Sequence, residues 1–204
     1  VTESVPTSVY ERVLGSRMAG LHPSLRPYFV AAPPGSVGRG DGVFDIAGSR
    51  HRWLTPVLAF LAWRRILFPE LGRDVPFTVT NIAGPGDGLS ARRVFHFAGR
   101  DRTMQDTMHV IDGSLHDFLG RRGGLEVRLE LDVDDGALRM RSSGTWLHVR
   151  GLRLPVPAML SARVELVESW SETGQRVDVR MLHPLLGEVF RYAGGFTYRH
   201  ELVP

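Results

Sequence analysis

Between Leu125 and Val133 the chain alternates without a break. Leu125, Val127, Leu129, Leu131 and Val133 fall on one side, and Glu126, Arg128, Glu130 and Asp132 on the other. A period of two over this length predicts a β-strand with one buried face. Shorter runs of the same kind recur from Asp74 onward, over 77–82, 92–98, 103–111, 115–119, 137–142, 146–149, 164–170, 176–182, 188–192 and 196–198. Turn signals separate them: Gly99-Arg100-Asp101, Asp112-Gly113, Asp135-Gly136 and Thr173-Gly174. Short connections between successive strands predict an antiparallel meander of eight to ten strands. Residues 154–159 carry two prolines and read as an edge strand or loop.

The first third has a different pattern. Thr7 or Ser8 is placed to cap a helix running to Met18, with Val9, Val13 and Leu14 on one face and Gly20 ending it. Leu21-His22-Pro23 opens a second short turn or helix holding Leu25, Tyr28 and Phe29. Residues 32–42 are rich in Pro and Gly and read as a loop, 43–47 as a short strand. Residues 53–67 read as the one substantial helix, apolar almost all round until Arg64 and therefore expected to be mostly buried. The predicted fold is mainly β (α+β): an antiparallel β-barrel or strongly curved meander sheet with N-terminal helices packed against it. One domain over 1–204 is expected, with a helical and loop part over 1–72 and an antiparallel part over 73–204.

The 204 residues are 43% hydrophobic and 23% charged, ordinary for a globular chain with a real core. There is no cysteine, which excludes a thiol nucleophile, cysteine-ligated metal and disulfides. There is also no lysine: all 25 basic residues are arginine. Schiff-base chemistry and a P-loop lysine are therefore excluded. The arginine bias fits a bacterial genome of high GC content. The arginines are scattered, net charge is only +3, and no nucleic-acid-binding pattern is present, so no nucleic-acid partner is expected. The polar N-terminus carries no apolar signal core, and the most apolar stretch is too short to span a bilayer, so a cytoplasmic location without membrane insertion is expected.

Gly35-Ser36-Val37-Gly38-Arg39-Gly40-Asp41-Gly42 has the look of a phosphate loop, but no helix follows it to supply an N-terminus. The eight histidines are dispersed without ligand spacing, so no metal and no cofactor is expected. No Gly-x-Ser-x-Gly elbow occurs. More telling are carboxylates on apolar strand faces. Glu188 shares a face with Leu186, Phe190 and Tyr192; Asp106 with Met104, Met108 and Val110; Glu168 with Leu166 and Trp170. Asn81 lies with Phe77 and Val79. A carboxyl facing an apolar interior is pushed toward neutrality unless paired, and then suits acid–base work. The plainer reading of each is a rim position or a structural ion pair with arginine.

Four stretches resemble an uncharacterised bacterial family classed as a domain of unknown function: Leu21-His22-Pro23 through Tyr28-Phe29; Gly42-Val43-Phe44-Asp45-Ile46-Ala47-Gly48; Phe68-Pro69-Glu70-Leu71-Gly72-Arg73-Asp74-Val75-Pro76-Phe77; and His183-Pro184-Leu185-Leu186-Gly187-Glu188-Val189-Phe190. The resemblance implies a domain found alone or behind NAD(P)-binding domains of saccharopine-dehydrogenase or epimerase type. It brings no catalytic residues with it.

The resulting expectation is a pocket for a hydrophobic small molecule, in concrete form a cofactor-independent cyclase, isomerase or lyase of bacterial secondary metabolism. Asp106 and Glu188 are the expected acid and base, Asn81 and Tyr192 the orienting groups, and Met104, Met108, Trp146 and Phe190 the walls. The rival is a non-catalytic binding or accessory module serving a separate NAD(P)-dependent oxidoreductase. A third reading is an interaction domain with a filled barrel. A homodimer stays open.

Overall fold

Aspartate–glycine and arginine–glycine pairs set the frame. Asp112-Gly113, Asp135-Gly136 and Arg150-Gly151 all have positive φ at both residues, the backbone of the two-residue turn whose twist matches the strands it joins. In the computed structural model, which describes residues 7–202, the chain forms twelve strands, β1 (Ser36–Gly48), β2 (Leu71–Gly72), β3 (Val75–Ala83), β4 (Leu89–Phe97), β5 (Arg100–Ile111), β6 (Ser114–Leu119), β7 (Leu125–Asp134), β8 (Ala137–Val149), β9 (Leu152–Pro155), β10 (Arg163–Ser171), β11 (Gly174–His183) and β12 (Gly187–Leu202), and these turns join β5 to β6, β7 to β8 and β8 to β9. Every pairing is antiparallel, and the order β10-β11-β12-β1-β3-β4-β5-β6-β7-β8 closes through a β10–β8 pairing into a ten-stranded barrel. The mainly-β barrel expectation is met.

On the side away from β7, strand β8 serves two partners. Its first half, through Leu138 and Met140, pairs with β10 and closes the barrel. Its second half leaves with β9 as an arm, Leu147 opposite Leu154 and Val149 opposite Leu152. The proline-bearing segment is thus an edge strand, and 146–149 is the end of β8 rather than a strand of its own.

The loop expected over 32–42, and with it the helical-and-loop boundary at residue 72, is corrected: β1 begins at Ser36 and is central to the sheet, between β12 and β3. Its inward positions are Gly38, Gly40 and Gly42. A Cβ on Gly38 would fall 1.6 Å from the Tyr198 hydroxyl, and one on Gly40 would fall 2.7 Å from Val79. Glycine here vacates space for neighbours; a composition that reads as loop is a strand with no room for side chains on one face.

Both ends of the barrel are closed by other parts of the chain. At one end, the plug end, Ser8 caps helix α1 (Val9–Leu14) in a reciprocal capping box with Glu11. A 3₁₀ turn (Gly15–Gly20) and helix α2 (Arg26–Phe29) follow. Tyr10, Leu14, Leu21, Leu25 and Phe29 from this segment are buried. At the other end, the helix end, Ile66, Leu67 and Phe68 turn inward, and Phe68 meets Phe95, Phe97 and Phe190.

The long buried helix expected over 53–67 is also corrected. Helix α3 covers Thr55–Trp63, and only Leu58 of it is buried. Trp53, Val57, Phe60 and Trp63 are each more than half exposed. The barrel interior is already filled by strand side chains and by 66–68, so α3 stays outside. None of the described helices is long and apolar enough to cross a membrane.

Candidate functional site

A pocket of about 480 Å³ lies at the plug end, between the start of α1, residues 30–36, and the ends of β3, β4 and β12. Local sequence holds it open. Glu11 accepts from the Ser8 and Ala31 backbone N–H groups, fixing the loop that follows α2. Arg12 donates to the Asp87 carbonyl, tying α1 to the β3–β4 turn. Ala31, Ala32, Pro33 and Pro34 supply an apolar wall. Tyr10, Tyr28, Asn81, Tyr198 and His200 supply the polar groups. The Asn81 amide donates to the Tyr198 hydroxyl at 3.4 Å, long for such a bond. Its buried carbonyl oxygen has no partner.

Tyr28 is shared between this pocket and a second, inner cavity of about 20 Å³, room for about one water. Arg93, Glu168 and Tyr192 line the inner cavity among Phe44, Phe77 and Phe196. Around it lies a buried polar network. Arg93 is paired with Asp106. The second Asp106 oxygen and one oxygen of Asp117 have no partner. Gln175 donates to Glu168 at 2.7 Å. The Tyr10 hydroxyl donates to the Met108 sulfur at 3.4 Å.

Burial raises the Glu168 carboxyl to about 7, against the opposing Gln175 hydrogen bond and Arg93 charge. Burial, reinforced by Asp106, also raises Asp117 well above the usual carboxylate range. Burial pushes the Tyr192 hydroxyl up to about 12 and raises Tyr28 and Tyr10. Burial works against the Arg93 charge, but Asp106 together with Tyr192, Tyr28 and Asp117 outweighs it, and the guanidinium stays charged. The interior therefore holds a fixed cation with one carboxylate bound to it and two further carboxyls poised toward their neutral forms.

Asp106, Asn81, Tyr192, Met104, Met108 and Phe190 are all buried and share the barrel interior. Glu188 does not. Met181 pairs with Phe190 but Leu182 pairs with Glu188, so Val189 is an extra residue and the alternation reverses. Glu188 passes to the outer face, where it acts on Arg180, and its carbonyl is within 3.0 Å of His51 Nε2. Trp146 is displaced the same way: Arg128 pairs with Gly144 and Leu129 with Ser142, so Ser143 of β8 is an extra residue and Trp146 falls opposite outward-facing Glu126. The expected acid–base pair of Asp106 and Glu188 is thus separated by the barrel wall, and Trp146 is not part of an interior wall.

Arg93, Asp117 and Gln175 went unnoticed in the sequence. Arg93 shares its face with Ala91 and Phe95, and Asp117 with Leu115 and Leu119, so alternation carried the signal for both. What it could not show is that a buried arginine answers a carboxylate on the next strand.

Displaced Trp146 belongs to an outer cluster. Glu126, 2% exposed, takes His116 at 2.7 Å, His148 at 2.6 Å and Arg153 at 2.7 and 2.8 Å. The Arg153 guanidinium also lies 3.9 Å from the Trp146 ring. Arg153 above all, with His148 and His116, holds Glu126 down to about 2. Each Glu126 oxygen accepts two donors, so the cluster is satisfied and ties β9 to β6–β8. Among the described residues no group of His, Asp and Glu could hold a metal ion.

A closed barrel with a mouth pocket over a polar-dotted interior is compatible with a ligand-binding pocket protein. The chain belongs to the family described as Domain of unknown function (DUF4166), whose model matches residues 21–196. It is similar to the uncharacterized protein YndH of Bacillus subtilis (strain 168), 27% identical over 202 residues, covering 93% of this chain and 96% of the relative. No solved structure matches it.

Proposed function

We propose that the protein binds a small, largely apolar molecule carrying one or two hydrogen-bonding groups, in the mouth pocket at the plug end. The observation that supports this most is the Asn81–Tyr198 pair in the pocket wall. A long amide–hydroxyl bond beside an acceptor with no partner is an incomplete arrangement, and a ligand hydroxyl or N–H would complete it. The volume lies in the range of small-molecule sites, and apolar walls with a few polar groups fit that class. The inner cavity has no room for a substrate of that size.

The test is titration with the apolar fluorophore 8-anilinonaphthalene-1-sulfonate. The wild type is expected to bind one probe in the pocket. Ala83→Trp, which fills the mouth, should abolish that binding, while substitutions on α3 leave it intact. Equal binding by Ala83→Trp and the wild type would overturn the assignment.

A second reading is favoured by Glu168. A carboxyl near 7 behind Tyr28 is suited to proton transfer on a ligand that displaces the tyrosine ring, as a cofactor-independent isomerase, cyclase or lyase requires. Glu168→Gln would then keep probe affinity and lose turnover.

A further inference from the structure

The helix end of the barrel carries an unusual surface. On α3 and its flanks Trp53, Val57, Phe60 and Trp63 are exposed by 55–63%. The β8–β9 arm opens at the same end and exposes Leu147, Val149, Leu152 and Leu154, followed by Met159 and Leu160. The two are joined: Arg121 donates its N–H to the Arg64 carbonyl, and His148 donates its N–H to the Gly124 carbonyl, so α3, the β6–β7 turn and the arm form one continuous rim. The β11–β12 turn adds exposed Leu185.

Charge along α3, the β6–β7 turn and the arm is basic; the carboxylates that border them include Glu126, taken up by Arg153, Glu70, taken up by Arg100 and Arg102, and Glu188 beside His51. Residues 49–69 hold Arg50, Arg52, Arg64 and Arg65 and no acidic residue. The β6–β7 turn holds Arg121 and Arg122, and residues 146–160 of the arm and the segment after it hold Arg150 and Arg153 with no acidic residue. Arg50, Arg52, Arg121, Arg122 and Arg150 are exposed, and among the described residues none of them has an ion-pair partner.

We propose that this rim docks on an anionic phospholipid bilayer, with the α3 aromatics and the arm's aliphatic side chains entering the headgroup boundary and the arginines meeting lipid phosphates. Indole and phenyl rings favour that boundary, and basic side chains around an apolar face add attraction to anionic lipid. Charge argues against a second copy of this chain, since a symmetric contact would set arginine against arginine. Nucleic acid would answer the arginines but gives the leucines, valine and methionine of the arm nothing to bury against. Contact is peripheral: the surface lies on the membrane and does not cross it. The inference stands apart from the mouth pocket, which opens at the other end.

The 204-residue chain is floated with vesicles of phosphatidylcholine alone and of phosphatidylcholine with phosphatidylglycerol. Binding is expected only to the second, with a blue shift of tryptophan emission and weakening as salt rises. Arg121→Glu/Arg122→Glu should weaken it by roughly fivefold for each arginine removed. Trp53→Ser/Trp63→Ser should remove both the blue shift and most of the binding. These side chains are exposed, so unchanged thermal midpoints certify that the variants fold. No flotation with phosphatidylglycerol, equal flotation with both vesicles, or a dimer in sedimentation velocity that the tryptophan variant dissolves would each overturn the proposal.

Discussion

At the plug end the N-terminal segment turns its apolar residues inward, and its arginines are used on backbone: Arg12 on the Asp87 carbonyl, Arg17 on Leu131, Arg26 on Leu21 and Ala19. The turns there are acidic, with Asp87, Asp112, Asp134, Asp135 and Glu172. At the helix end residues 66–68 do the sealing, while the preceding nine residues, more apolar than anything in the plug, stay outside beside free arginines. The more apolar of the two segments is thus the one left outside. The interior space they compete for is finite, and the strands already fill most of it. Apolar composition says that a segment prefers to leave water; only the volume left by the strands says whether it can.

That contrast can be broken most forcefully at the seals. Phe29→Ala and Phe68→Ala each remove a ring with no exposure and should each cost about 3–5 kcal/mol in denaturant unfolding. A cost confined to one of them would mean that only that end is packed shut. Next comes the interior carboxyl between the seals. The Glu168 pKa is raised from 4.5 to about 7, so the folded protein holds a proton that the unfolded chain releases. Its contribution is complete below pH 4.5 and is lost as pH rises through about 7, a fall of about 3 kcal/mol. Thermal midpoints should decline over that window in the wild type and decline less in Glu168→Gln.

Smaller effects sharpen the comparison. Ser8→Ala opens the capping box of the plug and should cost about 1 kcal/mol, read by denaturant midpoint. Trp53→Ser and Trp63→Ser at the helix end should change stability by no more than about 0.5 kcal/mol. A large loss there would show that α3 is part of the seal after all.

The buried site was legible where alternation ran unbroken. Asp106 between Met104 and Met108, and Asn81 beyond Phe77 and Val79, were placed correctly because no bulge intervenes in their strands. Glu188 and Trp146 were misplaced because one extra residue in a strand reverses every later side chain, and nothing in Leu186-Gly187-Glu188-Val189-Phe190 or in Ser143-Gly144-Thr145-Trp146 marks it. Glycine at alternate positions of β1 was read as loop for a related reason: a strand whose inner face must be empty looks like a strand that does not exist.

Local chemistry alone decided the number of turns, their type, the antiparallel sense and the Ser8 cap, since each depends on residues adjacent in the chain. Closure of β8 onto β10, the choice of 66–68 over α3 as a seal, the pairing of Arg93 with Asp106 and the meeting of apolar and basic groups at one rim were decided only by the folded whole. Each is a competition for space or charge among residues far apart in sequence, and the outcome depends on volumes and distances that no local pattern records.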